Sequence, residues 1–409
     1  MGKDTMFAAS MPVEKLPLDE IARIGAQDML RMALESEISM YLDSVSGYRL
    51  ADGRPAIVRN GKARARQITV GSGTLEVSVP RTRNRQGGKE NFASIILPPY
   101  MRRSPKIDEV IPLLYLRGLS TGDMYPALVK LLGEAVSGLS PANVTRLKTV
   151  WQRDDAAWRK RDLSGKRYCY LWVDGVHFNV RFSDNRLCIL VVIGATEEGK
   201  KELIAVASGY RESAESWGYL LRDLKRRGLE SPVLAIGDGA LGFWSVLPDV
   251  YPGCREQRCW VHKTANVMDK MPKGVQGRAK GMLHDIYRAE NREAANKAWD
   301  KFVETFEAKY PEAVACLVKD KERLFTFYDF PAHHWEHIRS TNAIESPFAT
   351  VRLRTDKTRG QGTESTTHLM VFKLLEQASL RWQRLNKSNL ISLVLEGRVF
   401  IDGELKMAA

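Results

Sequence analysis

The stretch Tyr168-Cys169-Tyr170-Leu171-Trp172-Val173-Asp174-Gly175 is a run of aromatic and β-branched residues ending on an acid and a glycine. That composition predicts a short strand over Tyr168–Val173, closed by Asp174. Working outward, Leu187–Ile193 is a second apolar strand, and Leu203–Ala207 follows after the Glu197-Glu198-Gly199 turn. Trp217, Leu220, Leu221 and Leu224 then recur at helical spacing. Val233–Ile236 reads as a further strand, ending in Gly237-Asp238-Gly239.

Three strands, a helix and another strand are the order of a ribonuclease-H-like domain, an α/β/α fold around a mixed sheet. Downstream, Trp299, Phe302, Val303 and Phe306 sit at i, i+3, i+4 and i+7, and no strand pattern returns before residue 339. This predicts an all-helical insertion. A final helical region carries Val371, Leu374, Leu375 and Ala378 on one face. The expected organisation is therefore an N-terminal region (1–160), the first part of a catalytic domain (168–261), a helical insertion (262–338), and final helices with a C-terminal tail (339–409).

The N-terminal region reads as mainly helical, with Leu30, Leu34, Ile38 and Tyr41 at helical spacing. Its middle differs. Ile68 and Val70 lead into Gly71-Ser72-Gly73, and Leu75, Val77 and Val79 alternate beyond it, which is a β-hairpin pattern. The chain of 409 residues carries 62 Lys+Arg against 49 Asp+Glu, a net charge of +13. Between positions 54 and 103 eleven basic residues face only Glu76 and Glu90, so most of the excess lies there. Such a charge implies an anionic partner, nucleic acid before an acidic membrane surface. The membrane alternative weakens because the charge sits on a hairpin and not on an amphipathic helix. No apolar run approaches the roughly 18 residues of a membrane span. Arg59, Lys62, Arg64, Arg66, Arg81, Arg83 and Arg85 are the candidate DNA contacts, a solvated charged surface being the alternative. Ser140 and Pro141 begin a helix with Val144, Leu147 and Trp151 inward and Asn143, Thr145 and Arg146 outward. That suits either a helix-turn-helix presenting Arg146 to DNA or an ordinary helical hairpin. The five scattered cysteines predict reduced thiols in the cytosol.

Three acids stand out by position. Asp174 and Asp238 close strands, where side chains of an α/β sheet escape the core. Glu345 opens the last helical region, in Ser340-Thr341-Asn342-Ala343-Ile344-Glu345. Converging carboxylates repel one another unless a cation neutralises them, and hard oxygen ligands select Mg²⁺ or Mn²⁺. Two such ions can clamp the attacking and leaving oxygens of a phosphoryl transfer. Each acid also has a bland reading: Asp-Gly is a turn dipeptide, and Asn342 with Glu345 has near capping-box spacing. Cys259 and His262 form a Cys-x-x-His, open to a supporting role or, with Cys254, to zinc. His333, His334 and His337 lie downstream of that pair. Arg352, two helical turns past Glu345, and Arg354 could hold a DNA phosphate or line a solvated face.

Leu171-Trp172-Val173-Asp174-Gly175, Gly237-Asp238-Gly239-Ala240, Arg258-Cys259-Trp260-Val261-His262 and Ser340-Thr341-Asn342-Ala343-Ile344-Glu345 together resemble the Mutator-type family of bacterial insertion-sequence transposases. The resemblance implies that Asp174, Asp238 and Glu345 are a metal-binding DDE triad, with Cys259 and His262 as an accessory motif. The implied fold is ribonuclease-H-like with a helical insertion before the Glu. Upstream, Arg59-Asn60-Gly61 and the hairpin ending Val79-Pro80-Arg81 look like that family's DNA-binding region. The implied activity is binding of an element's terminal inverted repeats, followed by metal-dependent cleavage and strand transfer into target DNA. Two Mg²⁺ or Mn²⁺ ions per site, a homodimer or larger synaptic complex, and a cytoplasmic, nucleoid-associated bacterial protein are expected with it. A nuclease or resolvase without strand transfer, or a non-catalytic DNA-binding regulator, are the rival readings.

Overall fold

The computed structural model describes residues 16–87, 91–117, 119, 121–132, 141–179, 187–209, 211–239, 242–357 and 363–406. The chain forms two compact units that divide between positions 147 and 148. The division falls inside helix α4 (Pro141–Arg159), whereas the sequence set 1–160 apart. The second half of α4 belongs to the second unit for a physical reason. Trp158 packs at a tilt with its ring centre 4.9 Å from that of Phe372, Asp154 accepts from Lys373, and Asp155 bonds to His368.

The first unit holds α1 (Leu18–Ser44), β1 (Ile57–Lys62), β2 (Arg66–Val70), β3 (Gly73–Val77), β4 (Pro80–Asn84), α2 (Pro105–Leu116) and α3 (Thr121–Leu132). β2 and β3 form the hairpin read from the sequence, with Val70 opposite Gly73. Gly73 has φ +112°, open to glycine and strained for other residues. A second antiparallel pair, β1 with β4, frames this hairpin in sequence. Leu34 on α1 packs against Ile68, Leu75, Val77 and Leu97.

The second unit is built on β5 (Tyr168–Phe178), β6 (Leu187–Thr196), β7 (Lys201–Gly209), α5 (Ala214–Arg226), β8 (Leu234–Gly237), α6 (Phe243–Val250) and β9 (Arg255–Arg258). The sheet order is β7-β6-β5-β8-β9. β5, β6 and β7 pair antiparallel, and β5, β8 and β9 pair parallel. This mixed sheet follows the predicted strand-strand-strand-helix-strand order of a ribonuclease-H-like domain. β6 is buried along its whole length, which is why it reads as an uninterrupted apolar run. On one face, Leu171, Val173, Leu190 and Val192 meet Trp217, Leu221 and Leu224 of α5 and Phe243 and Leu247 of α6.

Between β9 and residue 338 the regular elements are helical: α7 (Trp260–Met268), α8 (Lys273–Tyr287), α9 (Arg292–Phe306), α10 (Pro311–Val318), α11 (Lys321–Phe325) and α12 (Trp335–Ile338). Trp260 stacks on Phe325, and Trp299 meets the same ring edge-on. Then come α13 (Asn342–Lys357), α14 (Glu364–Ser379) and α15 (Leu390–Leu395). The tail carries a small hairpin of β10 (Phe400–Ile401) and β11 (Glu404–Leu405) that the sequence did not reveal. α14 is buried continuously from Thr367 to Leu375, not on the single face expected. It lies among β7, α13 and the end of α4, and its His368 and Lys373 are answered by Asp155 and Asp154.

Leu221 is fully buried between α5 and the sheet. Leu221→Ala is expected to cost about 2–5 kcal/mol, read as an earlier denaturant midpoint for the sheet-bearing unit of the full chain.

Candidate active site

Asp174 does not close its strand. β5 runs on to Phe178, with Asp174 opposite Val191 and Gly175 opposite Leu190. The Asp-Gly pair makes no turn because β6 continues to pair with it. What ends at this level is the other neighbour: the parallel pairing of β5 with β8 stops at Trp172 and Ile236. Asp174 and Asp238 each lie two residues past that pair. Side chains alternate along a strand, so both acids point to the same face. That face is the one α13 covers, opposite α5. The Asp238 carbonyl accepts from Trp244 Nε1 at 2.5 Å and from Arg258 at 3.4 Å, which fixes the loop.

Glu345 sits in the first turn of α13, anchored by the buried Ile344 and Phe348. Its Oε1 takes a 2.6 Å hydrogen bond from Thr341, so the carboxylate is engaged by Thr341 and not by an Asn342 capping box. Thr341 is itself held by the Cys-x-x-His. Its N–H donates to Cys259 Sγ at 3.3 Å, and its hydroxyl lies 3.3 Å from His262 Nδ1. Cys259 N–H donates to the Gly237 carbonyl, and Trp260 N–H to the Arg339 carbonyl. Cys259 and His262 thus tie the end of β8, next to Asp238, to the start of α13, which carries Glu345. A zinc set with Cys254 is not assembled. Among the described residues, the close His/Cys/acid sets are Cys259, His262 and Glu345, and His177, Cys188 and Glu212.

The electrostatics point the same way. Asp174 is 8% exposed, and its carboxyl is pushed up to about 7. Burial is the main cause, with Glu212 and Glu345 adding to it against the Gly175 N–H and His262. Burial also raises Glu212, and the charge of Asp238 adds to it. His262 rises to about 9, first through its hydrogen bond with Cys259 and further through Asp238 and Glu345. The centre is a group of carboxylates short of positive charge. Its hard oxygen donors fit Mg²⁺ or Mn²⁺. Glu212, in the loop before α5, carries no motif, and the sequence reading missed it. Only the fold brings it beside Asp174 and Asp238.

The basic residues separate into two groups. Arg59 and Lys62 pair with Glu35 at 2.5 and 3.1 Å. Arg66 donates to the carbonyls of Leu97 and Pro98, which makes it a brace for that segment. Arg64, Arg81, Arg83 and Arg85 are exposed. Arg81 and Arg83 alternate outward on β4, with Thr82 buried between them. Arg146 is exposed and lines a cavity of about 560 Å³ with Arg102, Arg103 and Tyr100. Ser140 and the side chains of 141–145 lie outside the described residues, as does the side chain of Arg354. Arg352 is exposed on α13.

A mixed sheet with two acids level across a parallel pair, and a third on a helix tied beside them, defines a carboxylate-centred α/β protein. The chain belongs to the Mutator family of transposases, whose family model matches residues 4–384. It is 50% identical over 299 residues to the transposase for insertion sequence element IS6120 of Mycolicibacterium smegmatis, covering 73% of this chain and 92% of that one. It is equally similar, 50% over 288 residues, to the transposase for element IST2 of Acidithiobacillus ferrooxidans, covering 68% and 95%. Among solved structures, the HTLV-2 integrase catalytic core domain in complex with magnesium overlaps at a TM-score of 0.18 and 15% identity, over 34% of this chain and 86% of that one. No helix among the described residues is long and apolar enough to cross a membrane.

Asp174 binds its proton more tightly folded than unfolded. Its contribution to stability is therefore full below about 4, and is lost as pH rises through about 7. Without divalent cations the melting temperature of the second unit is expected to fall across that window, and Asp174→Asn to flatten the slope. A slope unchanged by the substitution would assign it to another group.

Proposed function

We propose that this protein is a DDE transposase that binds the terminal inverted repeats of an insertion sequence and catalyses metal-dependent strand cleavage and strand transfer. The observation that carries the reading is the register of β5 and β8, which sets Asp174 level with Asp238, together with the Thr341–Cys259–His262 tether that brings in Glu345. These three carboxylates would hold the metal ions. A bound pair of Mg²⁺ or Mn²⁺ ions would lower the pKa of the attacking water or 3′-hydroxyl and stabilise the departing oxyanion.

The protein's own part is positioning. Asp174 and Asp238 project from rigid strands, and Thr341 fixes the rotamer of Glu345. His262, cationic at neutral pH, offsets part of the acidic charge where a phosphate would approach. Water attacks the phosphodiester at the element end, the bond to the 3′ oxygen breaks, and a 3′-hydroxyl is freed. That hydroxyl then attacks a target strand, forming one phosphodiester and releasing another 3′ oxygen. No covalent protein intermediate is needed.

The exposed Arg64, Arg81, Arg83 and Arg85 would grip phosphates of the terminal repeats, with Arg146 adjoining the Arg102–Arg103 cavity. Arg352 and Arg354 would meet DNA nearer the carboxylates. The working form is a homodimer or larger synaptic complex on two element ends and a target, in the bacterial cytoplasm at the nucleoid.

The test is cleavage and strand transfer by purified protein on a DNA carrying the element's ends. Asp174→Asn, Asp238→Asn and Glu345→Gln are each expected to abolish Mg²⁺-dependent cutting while leaving DNA binding intact. Cutting that persists in a variant removes that residue from the chemistry. Cutting without joining of a free 3′ end would favour a nuclease, and binding without cutting a regulator. Alanine at Arg64, Arg81, Arg83 and Arg85 together is expected to weaken DNA binding and flatten its dependence on salt, each lost phosphate contact lowering the log–log slope by about 0.9. The same change at Arg66 is expected to act on stability instead.

A further inference from the structure

Glu212 lies outside the three-acid motif, yet the fold lays its carboxylate against Gly175, the residue after Asp174. Its backbone carbonyl accepts the N–H of Gly242 at 3.0 Å, in the segment that follows Asp238. Its side chain lies across Gly175, the residue after Asp174. A Cβ at Gly175 would collide with the Glu212 carboxylate, and a Cβ at Gly242 would strike the backbone of Glu212, Ser213 and Ala214. Gly175 therefore leaves room for the Glu212 carboxylate, and Gly242 lets the backbone of the 212–214 loop approach the segment after Asp238. His177 Nε2 contacts Glu212 Oε1 at 3.3 Å, and Cys188, directly opposite His177 across β5 and β6, completes a close set with them.

The approach direction is informative. Asp174, Asp238 and Glu345 gather on the face covered by α13. Glu212 comes from the α5 side and lies across Gly175, where no side chain blocks it. An ion pair with His177 alone does not account for the Glu212 carboxylate standing within charge range of both Asp174 and Asp238.

We propose that Glu212 is a fourth carboxylate of the metal centre, closing it from the side opposite Glu345, with His177 keeping it in reach. This rests on the reading that Asp174, Asp238 and Glu345 hold divalent cations. Its chemistry is that of the other three, a hard oxygen donor suited to Mg²⁺ or Mn²⁺. A carboxylate from this side fixes a cation within the notch, where three ligands from one face leave it open.

The experiment is a titration of the full-length protein with Mn²⁺ alone, without DNA, following the free ion by electron paramagnetic resonance. Wild type, Glu212→Gln, Glu212→Asp and Asp174→Asn are compared, and the metal-free melting temperature reports folding. Glu212→Gln is expected to weaken Mn²⁺ binding about tenfold or more, as Asp174→Asn does, with the metal-free fold intact. Glu212→Asp keeps the charge at shorter reach and is expected to lose less. Should Glu212→Gln not fold, weaker Mn²⁺ binding by a folded Glu212→Asp supports the proposal, and unchanged binding overturns it. Loss in Asp174→Asn with Glu212→Gln within twofold of wild type overturns the fourth ligand and leaves the three-acid centre standing. No loss in either variant overturns both. Loss in Glu212→Gln alone places a cation away from Asp174 and overturns the shared centre.

Discussion

The constraint on which this structure turns is the cost of holding several carboxylates together in a partly buried notch. Ionised acids set beside one another repel, and removal from water disfavours the charged form of a carboxyl. Asp174 shows it plainly, with its carboxyl displaced to about 7. A carboxyl so displaced, set in a cleft beside other acids, marks a candidate functional site, and a cation sharing the grouping would relieve the repulsion. The rest of the second unit serves to hold that unfavourable grouping in place. β5 and β8 fix the two aspartates through parallel register, and the packing of α5 and α6 keeps the strands rigid. The Cys259–His262 turn binds the end of one strand to the start of α13. The helices from α7 to α12 lie between those two points in sequence, so the tether closes a long excursion of chain locally.

The basic charge tells a parallel story in the first unit. Lys and Arg side chains counted as one block in the sequence divide once folded. Some are consumed internally: Arg59 and Lys62 on Glu35, Arg66 on two backbone carbonyls, Arg103 on Asp108. The remainder, led by Arg64, Arg81, Arg83 and Arg85, faces outward. Charge excess signals an anionic partner, and only the fold says which residues are available to meet it.

Much of the second unit was legible because its elements are locally consistent. β6 is buried on both faces and reads as a pure apolar run. The α5 stripe of Trp217, Leu220, Leu221 and Leu224 has helical spacing and faces the sheet. Family resemblance, carried by four short motifs, agreed with the family model over nearly the whole chain. What escaped was non-local. Asp174 looked like a strand end because Asp-Gly favours turns, yet cross-strand pairing with β6 carries β5 four residues further. The complete burial of α14 depends on α4 arriving from a distant part of the chain. Glu212 sits in an ordinary pre-helical loop and has no local signature. Its meaning comes from Gly175 and Gly242, which are near it only in three dimensions. The role of Cys259 and His262 was equally invisible until Thr341 stood between them and Glu345.

In the proposed function these carboxylates place a divalent cation on the scissile phosphodiester. Its most direct test is a DNA in which the leaving 3′ oxygen at the element end is replaced by sulfur, cut in Mg²⁺ and in Mn²⁺. Sulfur is a poor ligand for Mg²⁺ and a better one for the softer ion. Cleavage of the sulfur-bearing strand is expected to collapse in Mg²⁺ and to recover in Mn²⁺. Equal cleavage of the oxygen and sulfur substrates in both metals would contradict it.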